Sequence, residues 1–249
     1  METEEKELCR RMEELSRRAL DRNAYEAGTF LTDGEQALLS RLPLPLPPRF
    51  EGGYPEAERR LPFFGSEELF GWAEEPPIVC LCIAPTAPKF AEALTHRDYL
   101  GALMNLGIRR EFLGDLLLCE NRAYLFALDR IAPHIAENLE KVRHTPVKSR
   151  TVKALPVEAR VHLEEREVVA ASPRLDGMVA AVFDLSRSEA KALAEKEKIS
   201  VNSLLVADPA HILREGDRVS VRGYGRFYFD SPLRETRSGR TRFAVRVFV

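Results

Sequence analysis

Arg174-Leu175-Asp176, followed by Leu185-Ser186-Arg187-Ser188-Glu189-Ala190-Lys191, is the stretch whose reading decides the fold. The first triplet opens an apolar run through Phe183 that reads as a helix. Ser186 and Glu189 have the spacing of a capping box, and Leu185 can staple to Ala190, so a second helix starts there. Arg187 and Lys191 are four apart and share a face of it. A strand pair follows, Ile199-Ser200-Val201 and Leu204-Leu205-Val206, around Asn202-Ser203. Leu213-Arg214-Glu215-Gly216-Asp217 then turns into the alternating strand Arg218-Val219-Ser220-Val221-Arg222, which Gly223-Tyr224-Gly225-Arg226-Phe227 ends. A capped helix start with paired cations can seat phosphates, and a basic strand can extend the track.

Upstream, Ile78–Ala84 is a strand-sized apolar run. Thr95 and Asp98 cap a helix whose Tyr99, Leu103 and Leu106 line one face, and Gly107 closes it. Leu113–Cys119 and Arg122–Ala127 form a hairpin around Glu120-Asn121. A second helix is expected over Asp129–Val142, with Ile131, Ile135, Leu139 and Val142 in phase, and a last strand over Val147–Val152. The order β-α-β-β-α-β predicts a ferredoxin-like (RRM-like) middle domain, residues 78–153. Tyr124 and Phe126 alternate as stacking aromatics would, but Arg122-Ala123-Tyr124-Leu125-Phe126 matches an RNP motif poorly, and core packing is the better reading. Cys80 and Cys82 share one strand face and read as buried thiols. The middle helix packs through Tyr99, Leu103 and Leu106. His96, Arg97, Arg109 and Arg110 are spare and can form an exposed basic surface.

Residues 1–77 form a helical and irregular N-terminal region. Leu8, Met12, Leu15 and Ala19 mark one face of a helix over residues 3–22, and Thr32 opens a short helix through Leu39. Pro43-Leu44-Pro45-Leu46-Pro47-Pro48 is a stiff extended connector. Residues 154–173 read as a polar connector with one candidate strand, Val157–Leu163. Formal charge is −2 over 249 residues, but it is uneven. Residues 1–77 carry −7, residues 78–153 carry +3 and residues 174–249 carry +4. A basic C-terminal third suggests a polyanion partner. No apolar run reaches 18 residues and the first residues are acidic, so neither a membrane span nor a signal peptide is expected, and the cytoplasm follows.

The C-terminal elements Arg174-Leu175-Asp176, Ser186-Arg187-Ser188, Val201-Asn202, Gly216-Asp217 and Val221-Arg222-Gly223 resemble the RNA-binding domain named after the fourth small-subunit ribosomal protein, the S-four domain, in order and over about 55 residues. With the residue reading above, the resemblance implies an RNA surface of Arg174, Ser186, Arg187, Lys191, Lys198, Asn202, Arg218, Arg222 and Arg226. Glu197 stands where that family usually has Gly. There the chain either holds Glu in the left-handed region, at about 1–2 kcal/mol, or turns differently. Leu94-Thr95-His96-Arg97-Asp98-Tyr99, Leu106-Gly107-Ile108-Arg109-Arg110-Glu111 and Leu113-Gly114-Asp115 resemble the bacterial YlmH family. So do Gly52-Gly53-Tyr54, Glu56-Ala57-Glu58-Arg59 and Arg222-Gly223-Tyr224-Gly225-Arg226-Phe227. That resemblance implies a cytoplasmic, non-catalytic RNA-binding protein of the large ribosomal subunit and peptidyl-tRNA, acting in rescue of stalled translation or ribosome-associated quality control, and makes His96, Arg97, Arg109 and Arg110 a candidate ribosome or tRNA contact. The predicted fold class is α+β: a helical N-terminal region, a ferredoxin-like middle domain and an S-four-type αα-β domain over 174–249.

Two alternatives have distinct signatures. Pseudouridine synthases often carry an S-four domain and place their catalytic Asp in Arg-Leu-Asp. Here, however, Asp176 is followed by Gly177-Met178-Val179-Ala180, and the triplet lies inside the binding module. Asp176 therefore reads as helix N-terminal charge. A protein–protein interaction factor would use the acidic N-terminal region for docking. No Walker, G-x-S-x-G or H-E-x-x-H pattern is present. The five histidines have no metal-ligand spacing, and no cofactor, metal or small-molecule substrate is expected.

Overall fold

The computed structural model describes residues 2–160, 162–202, 204–235 and 240–248. Contacts divide the chain into two compact units, residues 1–160 and 161–249. Residues 1–77 and 78–153 thus lie in one unit rather than packing separately.

The first unit opens with α1 (Glu2–Arg22). Met12, Leu15 and Ala19 are buried, and Leu8 packs against the same cluster. Ser16, fully buried beside them, donates to the Leu46 carbonyl and accepts its N–H, both at 2.9 Å. These two bonds fasten the proline-rich stretch onto α1. Next come β1 (Glu26–Ala27), α2 (Asp33–Leu39), β2 (Arg49–Glu51), β3 (Leu61–Phe64) and α3 (Glu67–Phe70). The strands form a small antiparallel sheet, β1-β3-β2.

The unit continues with β4 (Ile78–Pro85), α4 (His96–Asn105), β5 (Leu113–Cys119), β6 (Arg122–Leu128), α5 (Ala132–Asn138), β7 (Lys141–Val142) and β8 (Thr145–Val152). Their sheet runs β5-β6-β4-β8-β7, antiparallel throughout. Leu81, Ile83, Ala123 and Leu125 pack on one face against Tyr99 and Leu103 of α4 and Ile135 of α5. Cys80, Cys82, Tyr124 and Phe126 are buried on the other face, with Leu155, Ala159 and Tyr54. The Tyr54 ring stacks on Phe126 at 4.8 Å, so the face an RRM would use for bases is covered by protein. Gly53 has φ +87°, and a Cβ there would stand 2.5 Å from Phe126 Cδ1. Only glycine brings Tyr54 over the sheet without strain.

The helix expected over Asp129–Val142 is shorter. A 3-10 turn, Asp129–Ile131, precedes α5, and Lys141–Val142 is the strand β7 paired with β8. Val142 is fully buried from a strand, so its phase with Ile135 and Leu139 is a coincidence of inward-facing residues.

The second unit contains β9 (Leu163–Ala170), α6 (Leu175–Phe183), α7 (Arg187–Glu195), β10 (Ile199–Val201), β11 (Leu204–Leu205), β12 (Arg218–Val221), β13 (Gly225–Glu235) and β14 (Thr241–Phe248). The antiparallel sheet runs β11-β10-β12-β13-β14-β9. Leu175, Met178 and Val179 of α6 and Ala190 and Ala194 of α7 share a core with Val219, Phe227, Phe229, Phe243 and Val245. Both helices therefore cover one face of the sheet. Two expectations are corrected here. Residues 154–173 are not only a connector, because β9 pairs along its whole length with β14. The strand expected over Val157–Leu163 is instead a 3-10 turn at Val157–Ala159, with the strand starting at Leu163. Glu164, Glu165, Arg166 and Glu167 hid it: charges blunt a sheet edge and erase its apolar signature. Glu197 has φ +52°, so the chain holds a left-handed residue where glycine was expected. Asn202 has φ +48°, while its turn neighbour Ser203 lies outside the described residues.

Candidate nucleic-acid interface

Asp176 is the hub of the second unit's cation cluster. It lies in the first turn of α6 with its side chain only 9% exposed. Arg174 forks onto it, Nε to Oδ1 and Nη2 to Oδ2, both at 3.1 Å. The Gly177 N–H donates to Oδ1 at 2.7 Å, and Arg187 Nη2 reaches the same oxygen at 3.4 Å. Burial pushes this carboxyl upward. The Arg174 bonds, the Gly177 N–H and the Arg187 charge outweigh that and hold it below the usual carboxylate range. The first N–H groups of α6 are occupied: Leu175 donates to the His211 carbonyl and Asp176 to that of Pro209.

Ser186 caps α7 in a full capping box with Glu189. This places a carboxylate at the helix start, so the anion attraction there comes from Arg187 and Lys191. Both side chains are 60% exposed, and Lys191 is paired only loosely, 3.6 Å from Glu195. Lys198 and Arg222 are exposed, and the Arg222 N–H donates to the Lys198 carbonyl, which sets them side by side at one end of β10 and β12. Asn202 holds a turn: its amide donates to Asp217 at 2.7 Å and accepts the Arg218 N–H at 3.0 Å.

The nine residues expected to form one surface do not share a face. Val219 and Phe227 point into the core under α6 and α7, so Arg218 and Arg226, one residue before each, point to the other side of the sheet. Arg226 stacks there on Phe248, 4.6 Å from the ring centre.

In the first unit the expected quartet also divides. Arg97 is exposed, and His96, although exposed, has Nε2 3.0 Å from the Leu116 carbonyl. Arg109 lies over Phe112 and pairs with Glu111 at 2.8 Å. Arg110 turns inward, donating to the carbonyls of Leu113 (2.6 Å) and Gly114 (3.0 Å). Burial, aided by the Arg59 charge, pushes its guanidinium down to about 10. Arg110 therefore builds the fold and not an exposed surface. Beside it, Asp115 accepts the Tyr54 hydroxyl (2.8 Å) and the N–H groups of Glu58 (2.6 Å) and Arg59 (3.1 Å). Burial nevertheless pushes this carboxyl above its ordinary value.

Arg97 gains companions that the sequence reading missed. It lines an open groove of about 540 Å³ with Asn105, Asn138, Lys141 and Arg143. Arg143 also stands 3.7 Å from Asp98 and 3.8 Å from Glu92. The in-phase Leu139 and Val142 conceal the turn between β7 and β8 that presents these cations.

The two units define an α+β protein whose antiparallel sheets carry helices on one face and cations at their surfaces. Residues 79–155, which include the groove, match the family described as "Putative RNA-binding domain in YlmH". The "Ribosome-associated protein quality control protein P2" of Bacillus subtilis (strain 168) is 30% identical over 200 residues, covering 79% of this chain and 77% of that protein. A solved structure, "Cell division protein ylmH from Streptococcus pneumoniae", is 24% identical and covers 60% of this chain and 91% of its own, with a TM-score of 0.49. The chain belongs to the YlmH family.

Proposed function

We propose that this chain is a non-catalytic RNA-binding protein of the translation apparatus. It binds large-subunit rRNA and peptidyl-tRNA in ribosome-associated quality control, in the cytoplasm. The observation that carries the reading is the pair Arg174 and Arg187, braced on α6 and α7 by the one buried carboxylate of Asp176, with the exposed Lys191 one turn further along α7. Arginines held in a fixed fork suit phosphate better than mobile ones, because less side-chain freedom is lost on binding. The helix pair packed on a sheet, with left-handed residues at 197 and 202, favours an S-four-type module. The sheet order β5-β6-β4-β8 favours a ferredoxin-like domain, and its Arg97–Lys141–Arg143 groove supplies a second phosphate contact. The name of the Bacillus relative and the description of the matched family support the same reading.

A pseudouridine synthase reading finds little support. A catalytic aspartate must reach a base, whereas Asp176 is buried and engaged by two arginines and a backbone N–H. The deciding experiment titrates Arg187→Ala/Lys191→Ala and Arg17→Ala/Arg18→Ala against large-subunit RNA and tRNA. The first pair is expected to lose affinity and the second to keep it. Equal losses would refute the assignment to α7.

A further inference from the structure

The sheet of the second unit has a face turned away from α6 and α7. Along β12, β13 and β14 the residues Val219, Val221, Phe227, Phe229, Phe243, Val245 and Val247 are buried. The residues between them line the other side. Two cross-strand rows result. In one, Arg218 lies opposite Tyr228 and Tyr228 opposite Arg246. In the next, Ser220 lies opposite Arg226, which stacks on Phe248. The Tyr228 and Phe248 rings are 5.4 Å apart and inclined by 33°. Arg246 lies over Tyr228 at 5.0 Å and Arg226 over Phe248 at 4.6 Å. Four flat π-groups thus run in series: guanidinium, ring, ring, guanidinium. All four side chains stay partly exposed.

We propose that this outer sheet face, centred on Tyr228, Phe248, Arg226 and Arg246, binds unpaired RNA bases by stacking, at a site separate from α6 and α7. The proposal rests on the reading that the partner is RNA. The pairing of Arg246 favours bases over phosphates at its position. Asp230 grips Arg246 from Nε (2.9 and 3.0 Å) and from Nη2 (2.7 Å), and Glu165 is its cross-strand neighbour. The Arg246 charge is paired with Asp230 while its guanidinium is fixed over the Tyr228 ring. A fixed, neutralised guanidinium offers a surface for a planar partner and little for an anion.

The test uses the full chain and two probes, a short oligouridylate and an RNA hairpin. Tyr228→Leu/Phe248→Leu keeps apolar bulk but removes both stacking rings, and Arg246→Lys keeps charge but removes the plane. The Leu pair is expected to weaken oligouridylate binding by about tenfold, with a shallow salt dependence, and to leave hairpin binding unchanged. Ultraviolet crosslinks of the native chain to oligouridylate are expected within Gly225–Glu235 or Thr241–Phe248. Unchanged oligouridylate affinity in all variants, or crosslinks confined to α7, overturns the proposal. So does a Leu pair that keeps both RNA affinities but no longer sediments with ribosomes, since the face then docks a protein. Arg187→Ala/Lys191→Ala separates the two readings: it is expected to lose the hairpin and keep the oligouridylate. If it keeps both while the Leu pair loses oligouridylate, the α7 assignment fails and the sheet face stands.

Discussion

Arg187 Nη2 lies 3.4 Å from Asp176 Oδ1, so one carboxylate ties the first residue of α7 to the start of α6. Arg187 therefore both meets a ligand and braces the helix pair. Arg187→Ala/Lys191→Ala is expected to weaken binding to structured large-subunit RNA by about tenfold or more. It should also lower the melting temperature slightly, because the buried Asp176 keeps Arg174 as partner. Asp176→Ala strands Arg174 and Arg187 together and should lower it by several degrees. Calorimetry beside filter binding separates the two effects.

Binding to structured RNA is expected to be strongly electrostatic. Neutralising about 4–6 phosphates gives a log–log salt slope of roughly −3 to −5. Titration at a series of salt concentrations checks this, and a slope near zero would remove the phosphate track from consideration.

Asp176 and Asp115 should push stability in opposite directions with pH. The folded Asp176 carboxyl lies below its unfolded value of about 3.9, so its contribution is complete above that pH and is lost as pH falls through the folded value. The folded Asp115 carboxyl lies above its unfolded value, so its contribution is largest in acid and is lost as pH rises from about 4 through the folded value. Asp115→Asn should flatten the second dependence and Asp176→Asn the first. Trp72, the chain's single tryptophan, reports the first unit by fluorescence, and circular dichroism reports both.

The Tyr54 cover should protect the thiols beneath it. Cys80 and Cys82 are buried, and burial pushes the Cys80 thiol up to about 12. Tyr54→Ala, or Gly53→Ala through its clash with Phe126, is expected to speed thiol labelling by about tenfold at pH 8. Mass spectrometry of labelled peptides containing Cys80 and Cys82 gives the rates.

Elements with a strong local signal were legible in the sequence. The capping boxes at Thr95 and Ser186, the Glu120-Asn121 hairpin and the shared face of Cys80 and Cys82 depend on neighbours a few residues apart. What escaped depends on distant partners. Edge strand β9 is charged and exists because β14 pairs with it. Arg110 was indistinguishable from Arg109 until the carbonyls of Leu113 and Gly114 claimed it. Arg218 and Arg226 are basic like Arg187 and Lys191, but the period-two alternation of their own strands sends them to the other side.

The strand β14 has a consequence for how the protein is made. It follows β13 in the chain, yet in the sheet it lies between β13 and β9. During synthesis Leu163–Ala170 leaves the ribosome long before Thr241–Phe248 and waits without the one strand it pairs with among the described residues. A copy ended before Thr241 lacks an inner strand and presents two unsatisfied backbone edges, one on β9 and one on β13. Such an unfinished copy should be sticky and open to proteases until Thr241–Phe248 enters the sheet.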